Sequence, residues 1–336
     1  MDAEPRSPRS PSQARALMLV YLNFTEVRGP YGGANAFLRT LRDALARRGV
    51  RTTYDPRAPF DLAFLNALTD DLDLEHVRRI ADRGRPVVHR KVGYRASGSP
   101  EMRAVVDGVV HGDRLQVEFT PHVTHTVFQS EYSRDVFLAS GFDGPFTVIP
   151  NGVDEEIFNL EQRPRFFGAP RRRAFWDSSA PLRVVVSTWS TDENKGFSDY
   201  REIDRRLAGR SDVELTLIGR VPSGARLRTF RVVPPQRRAA LARRLKEQHV
   251  LLQLARFETC SNALIEGINC GLPAVFLDSG SNREIAGDYG EEYRDDLDEA
   301  LDRLRPRYDA IVARVPDNPY RISIAVERYL ELFRGL

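Results

Sequence analysis

Glu258 and Glu266 stand eight residues apart in RFETCSNALIEG (256–267), one on a short polar turn and the other in the first turns of an apolar helix. The apolar run VLLQLA feeds this stretch, and Gly271 and Pro273 stop the helix that starts near Ser261. A helix start offers free N–H groups and the positive end of the helix dipole, which suits a phosphate. Thr259, Ser261 and Asn262 are its candidate caps. Glu266 falls about 7 Å along the helix at the usual rise per residue, and Glu258 precedes it, so two carboxylates bracket the phosphate position. One carboxylate can accept both hydrogen bonds of a ribose diol. A second can hold sugar hydroxyls, and together these are the needs of a nucleoside diphosphate sugar. The same spacing also fits a capping residue beside a solvent-facing glutamate.

The elements around this pair set where it sits. Short apolar runs alternate with amphipathic segments, the pattern of parallel sheets covered by helices. Candidate strands fall at 16–23, 62–66, 86–89, 126–129 and 146–149, with helices at 34–48, whose Ala36, Leu38, Leu41 and Leu45 form an inward stripe, and at 131–140. Periodicity fails through NLEQRPRFFGAPRRRAFWDSSAP (159–181) and restarts with LRVVVSTW, VELTLIGR, VLLQLA and LPAVFLD, separated by helices at 199–208, 235–247 and 261–270. The division is therefore a disordered Pro/Ser/Arg-rich tail at 1–15, a first lobe at 16–160, a linker at 161–181, a second lobe at 182–318 and a C-terminal helix at 319–336. That helix, with Ile324, Val326, Tyr329, Leu330 and Phe333 inward, is a candidate to pack back on the first lobe. In doubly wound lobes, ligands bind outside the carboxyl ends of the strands, so the cleft between the lobes is the expected site.

Composition narrows the class. A chain of 336 residues, 41% apolar and 29% charged, is long enough for two domains, and a net charge of +3 does not call for a nucleic acid partner. No run approaches the roughly 18 apolar residues of a membrane span. The two cysteines, Cys260 and Cys270, lie in one helical stretch, which fits a reducing cytoplasm rather than a disulfide framework. Three lysines against 47 arginines make each lysine worth a look; Lys91 and Lys246 read as chance survivors. His122 and His125 lack the companions of a zinc site. The two DLD triplets, 71–73 and 296–298, open charged helical segments and read as helix-start acids rather than a metal-bound diphosphate site.

FETCSNALIEGINCGLPAVF resembles the E-x7-E signature of the group 1, or family four, retaining glycosyltransferases, which have the GT-B fold: two facing Rossmann-like lobes around a cleft. GPYGGANAFLRTLRDALARRGV is similar to that family's early glycine loop and first helix, TVFQSEYSRDVF and VIPNGVDEEIF to the end of its first lobe, NKGF to its lysine loop, LIGR to its base-side strand and DSGSNREI to the segment after its last strand. The ordered set spans about 20–335. It implies that Glu266 binds the ribose diol, Glu258 the transferred sugar, and backbone groups around Ser261 and Asn262, with Thr259 and Cys260 in the same turn, the diphosphate. It also implies that Lys195, next to Asn194, neutralises the leaving phosphate as a point charge. Gly32 and Gly33 would let the first lobe approach the donor from the opposite side, while Gly219 and Arg220 would lie near the base.

The departures matter equally. The family has an arginine shortly before its lysine, where Ser190 stands here, so a second cation comes from elsewhere, with Arg220 a candidate. His89 matches a histidine that the family places at the donor sugar, but Lys91 and Val92 replace the acid that follows it. The expectation is a cytoplasmic hexosyl transfer from a nucleoside diphosphate sugar to a hydroxyl of a polysaccharide, a lipid-linked carrier or a small molecule. No metal or other cofactor is expected, the helix start and Lys195 doing a cation's work. Arginine-rich segments such as RRAALARRLK leave peripheral membrane contact possible but not indicated, since a solvated helix face explains them. The alternatives are a nucleotide-sugar-binding protein without catalysis, or a GT-B enzyme performing a non-glycosidic coupling or an epimerisation.

Overall fold

Strand formation follows the apolar runs. In a computed structural model that describes residues 18–23, 32–66, 73–92, 105–106, 109–162, 171–172 and 180–336, twelve strands form two parallel six-stranded sheets. The first holds β1 (Leu19–Leu22), β2 (Arg51–Thr53), β3 (Leu62–Asn66), β4 (Val87–Arg90), β5 (His125–Phe128) and β6 (Phe146–Val148), in the order β2-β1-β3-β4-β5-β6. The second holds β7 (Leu182–Thr188), β8 (Val213–Gly219), β9 (Phe230–Val233), β10 (Val250–Gln253), β11 (Ala274–Phe276) and β12 (Gly290–Glu292), in the order β9-β8-β7-β10-β11-β12. Central strands such as LAFLN and VLLQ are buried along their whole length because helices cover both faces.

The helices supply those covers. On the first sheet, α1 (Gly33–Arg47) buries Phe37, Leu38, Leu41, Ala44 and Leu45 together with α11 (Ile322–Gly335), and α2 (Leu74–Ala81) covers the other face, followed in the chain by α3 (His111–Glu118). The second sheet lies between α5 (Phe197–Arg206), α9 (Leu297–Leu304) and α10 (Tyr308–Arg314) on one face, and α6 (Arg238–Leu245), α7 (Asn262–Asn269) and α8 (Asn282–Ala286) on the other. Four of the five residues read as inward on α11, Val326, Tyr329, Leu330 and Phe333, are buried; Ile324 is instead 40% exposed, and Ile322 and Ala325 join the buried face. The chain thus returns to the first sheet after building the second.

Both crossings between the sheets run side by side. Val153 N–H donates to Tyr320 O at 3.2 Å and Ile322 N–H to Val153 O at 2.8 Å. Gly152 is needed there, since a Cβ would stand 2.5 Å from the Arg321 backbone. The tail at 1–15, most of the segment at 161–181 and residues 24–31 lie outside the described residues. No helix among those described is long and apolar enough to cross a membrane.

Candidate active site at the strand-order reversal

In the second sheet the chain winds outward through β8 on one side of β7 and through β11 on the other side of β10, so the order reverses between β7 and β10. The segments leaving two such strands part to opposite faces and open a crevice at their carboxyl ends. Lys195 follows β7 and Glu258 follows β10, which puts both at this crevice.

Local backbone chemistry holds the two loops together. Asp192 accepts from Asn194 N–H at 3.0 Å and caps the single 3₁₀ turn Glu193–Lys195. Gly196 then takes φ 90°, and a Cβ there would lie 2.7 Å from Leu254 O, so only glycine lets the lysine loop lie against the end of β10. Arg256 N–H completes the junction by donating to Asn194 O at 2.7 Å. Phe257 adopts φ 59°, an uncommon left-handed geometry that turns the chain into Glu258. Ser281 N–H donates to Glu258 O at 2.8 Å, and Gly280 passes so close that a Cβ would stand 2.5 Å from the same oxygen. The product is an ion pair, Lys195 Nζ to Glu258 Oε1 at 2.5 Å, with side chains 21% and 17% exposed.

The helix after Glu258 starts as the sequence implied. Ser261 Oγ caps α7 by accepting from Leu264 N–H at 3.4 Å, and Gln253 Nε2 donates to it at 2.8 Å. The first N–H groups of α7 have no intrahelical partner and are the phosphate-binding candidates. Glu266 lies one turn further along, half-buried, and loss of water pushes its carboxyl up to about 7, with the Arg238 guanidinium pulling the other way. Arg238 is also paired with Asp154 at 3.3 Å. The Cys260 thiol is buried and pushed up to about 12 by desolvation, so it is a packed group and contributes only backbone.

The first lobe closes over this turn. Gly32, at φ 28°, caps α1, and Gly33 O accepts from Asn262 Nδ2 at 3.1 Å. Trp189 reaches toward the same loop, its Nε1 lying 3.7 Å from where a Gly32 Cβ would be, and the Arg220 guanidinium stacks 4.1 Å above the indole. Arg220 is therefore held at the end of β8, beside the crevice, as a cation near Lys195's strand. Gly219 is sterically required, because a Cβ would fall 1.6 Å from Thr188 O. Glu284 on α8 accepts from the N–H groups of Glu131 at 3.0 Å and Tyr132 at 3.4 Å, capping α4 (Glu131–Ala139) of the opposite lobe.

The structure thus brings Lys195, Asn194, Glu258, Thr259, Ser261, Asn262, Gly32 and Gly33 to one crevice, with Glu266 and Arg220 at its margins. His89 does not join them. It is wholly buried on β4 against Phe119, neither ring nitrogen has a hydrogen-bond partner among the described residues, and desolvation holds it well below the usual imidazole range. It is a neutral packed ring rather than a donor contact. The two lysines read as chance survivors also have specific places. Lys91 Nζ is buried, bonded to Gln116 O and set 5.4 and 5.3 Å from the Phe137 and Phe142 rings. Lys246 Nζ donates to Asn159 Oδ1 at 2.6 Å and Glu161 O at 2.7 Å. Both DLD triplets supply helix caps, Asp73 accepting from His76 N–H at 2.7 Å and Asp296 from Glu299 N–H at 3.0 Å.

The raised carboxyl of Glu266 has a consequence for pH. Its folded value of about 7 exceeds the ordinary 4.5, so between those values the folded chain holds a proton that the unfolded chain has released. This group therefore costs stability progressively as pH rises through that window. The ionised form is the stronger acceptor for a diol. If Glu266 has the diol-binding role that the sequence resemblance implies, affinity for a nucleoside diphosphate is expected to rise from pH 6 to 8 by more in the wild type than in Glu266→Gln; titration calorimetry across that range checks it.

No protein-family model matches the chain, and no curated protein sequence does. Its fold has clear counterparts among solved structures. Sucrose-phosphate synthase from Thermosynechococcus elongatus superposes with a TM-score of 0.67 at 13% identity, covering 95% of this chain and 98% of its own. The catalytic domain of starch synthase IV from Arabidopsis thaliana, bound to ADP and acarbose, gives 0.64 at 12% identity, covering 95% and 99%. AviGT4, a glycosyltransferase involved in avilamycin A biosynthesis, gives 0.54 at 18% identity, covering 95% and 97%. Two parallel six-stranded lobes in this arrangement are the GT-B fold.

Proposed function

We propose that this chain is a glycosyltransferase that moves a sugar from a nucleoside diphosphate sugar to an acceptor hydroxyl. The reading is carried by the meeting of Lys195 and Glu258 at the strand-order reversal, next to a capped helix start with Glu266 one turn along. The GT-B neighbours, which include sugar synthases and a domain bound to ADP, support that donor class. In this reaction the first N–H groups of α7 and the Lys195 ammonium stabilise the charge that grows on the diphosphate as the glycosidic C–O bond breaks. Glu258 holds hydroxyls of the departing sugar, and Glu266 the ribose diol. Arg220 supplies the second positive charge in place of the arginine that Ser190 replaces. Transfer with retention at the anomeric carbon, and without a metal ion, follows from the sequence resemblance and is part of the proposal.

The test is a titration of the protein with UDP, GDP, ADP and dTDP in EDTA, wild type against Glu266→Ala. One of the four is expected to bind without metal, and the substitution to weaken it by about tenfold to a hundredfold, the cost of one or two hydrogen bonds to a charged acceptor. Binding that needs added divalent metal would overturn the metal-free reading, and binding by none of the four would overturn the donor assignment.

A further inference from the structure

Arg90 is wholly buried at the end of β4, its guanidinium 3.8 Å over the Phe37 ring. Its Nη1 donates to Asn66 Oδ1 at 2.7 Å, and its Nη2 donates to Asn151 Oδ1. Asn151, also buried, lies just past β6 where the chain leaves the first lobe. From there the bonds cross the cleft. Asn151 Nδ2 donates to Asn262 Oδ1 at 2.8 Å and to Cys260 O at 3.4 Å, and Asn262 Nδ2 donates to Gly33 O at 3.1 Å.

The chemistry of the ends gives this chain a single direction. A guanidinium can only donate, so the atom of Asn151 that faces it must be the oxygen, and its NH₂ must face the second lobe. There it meets the Cys260 carbonyl, which can only accept. Asn262 must then turn its oxygen toward Asn151 and its NH₂ toward the Gly33 carbonyl, another pure acceptor. The two amides of the crossing, Asn151 and Asn262, are each oriented from both sides, and Asn262 is the first residue of α7.

We infer that Arg90 and Asn151 are positioning residues for the donor site: through a one-way chain of hydrogen bonds, the first lobe holds the phosphate-binding turn of the second lobe in place. The inference rests on the function proposed above for that turn. Donor affinity is then coupled to lobe contact, because the N–H groups offered to the diphosphate are aligned by groups on the other side of the cleft.

Asn151→Asp separates this role from a purely structural one. The carboxylate keeps the buried Arg90 partner and strengthens it by charge, so the melting temperature is expected to stay at or above the wild-type value. It cannot donate, however. It repels the Cys260 carbonyl and turns the Asn262 amide so that oxygen faces the Gly33 carbonyl, and two bonds are lost. Affinity for whichever of UDP, GDP, ADP or dTDP the wild type binds should fall about tenfold, on the order expected for two neutral hydrogen bonds. In an Asn262→Ala background, Asn151→Asp should have little further effect, since the chain is already cut. Wild-type affinity in Asn151→Asp, or an equal loss in both backgrounds, would overturn the inference. Should the wild type bind none of the four, the functional proposal fails separately. Amide exchange at 261–264 in the ligand-free protein then decides: faster exchange in Asn151→Asp supports the tie, and unchanged exchange overturns it.

Discussion

Replacing Lys195 by alanine is expected to lower the rate of sugar transfer by about two to three orders of magnitude, the usual cost of removing one charge-stabilising group from a site where charge develops. The size of the effect comes from the setting of the ammonium. It is about one-fifth exposed and pinned by Glu258 at 2.5 Å, so its charge acts in a partly dehydrated crevice rather than in bulk water. In the proposed reaction the diphosphate oxygens would gain charge next to this group as the C–O bond breaks, and the interaction would be stronger in the transition state than with bound substrate. The loss should therefore appear in kcat more than in KM. Glu258→Gln should likewise lower turnover more than nucleotide affinity, because it leaves Lys195 free to meet the phosphate but weakens the hold on the sugar. Single-turnover kinetics with melting temperatures measured in parallel check both. A Lys195→Ala protein with undiminished turnover would remove the role assigned to the lysine, and equal losses explained by lower stability would remove both assignments.

How much of this was legible in the sequence depended on where the residues sit in the sheets. Central strands announce themselves as apolar runs, and LAFLN, LRVVVST, VELTLIG and VLLQ all emerged with small errors at their ends. In the two six-stranded sheets the three strands without a sequence signal, β2 (RTT), β9 (FRVV) and β12 (GEE), are all at sheet edges, where one side of the strand lacks a partner and no continuous apolar run is needed. At the site, Lys195 and Glu258 sit on the segments that follow β7 and β10; the carboxylate pair shows in its spacing, whereas the lysine and the two first-lobe glycines stand out only through the family resemblance. The cross-lobe groups were silent for the opposite reason. Asn151, Arg90 and Glu284 acquire partners 109 to 153 residues away or through such partners, and no local pattern marks a side chain whose role depends on a second lobe. His89 shows the limit of a matched position: the resemblance implies a histidine at the donor sugar, a packed structural histidine fits the sequence as well, and on this chain the ring is buried against Phe119. Nearby Lys91, which composition marks only as a rare lysine, fills a buried polar place.

Gly219→Ala is expected to cost about 3 kcal/mol or more of stability, a loss that belongs with strained backbone and overpacking rather than with an ordinary surface change. Two separate penalties meet at this position. The residue has φ 149°, a conformation that a side chain disfavours, and its Cβ would stand 1.6 Å from Thr188 O and 2.7 Å from Thr188 C. Those are backbone atoms of the paired central strand β7, aligned opposite Gly219 in the sheet register, so no rotamer change relieves the clash. The strand ends must part. Gly209→Ala provides the comparison, because Gly209 also has positive φ, at 81°, but a Cβ there meets nothing within 4 Å. It should lose only about 1 kcal/mol, the conformational part alone. Urea denaturation of both variants separates the two penalties, and similar midpoints would show that β7 and β8 part at no cost. Parting them would also displace Thr188, the residue before Trp189, whose ring carries Arg220 and faces Gly32. At temperatures where the variant still folds, its nucleotide affinity should therefore fall along with its stability. A glycine with no chemical group of its own thus sets where Trp189 and Arg220 stand.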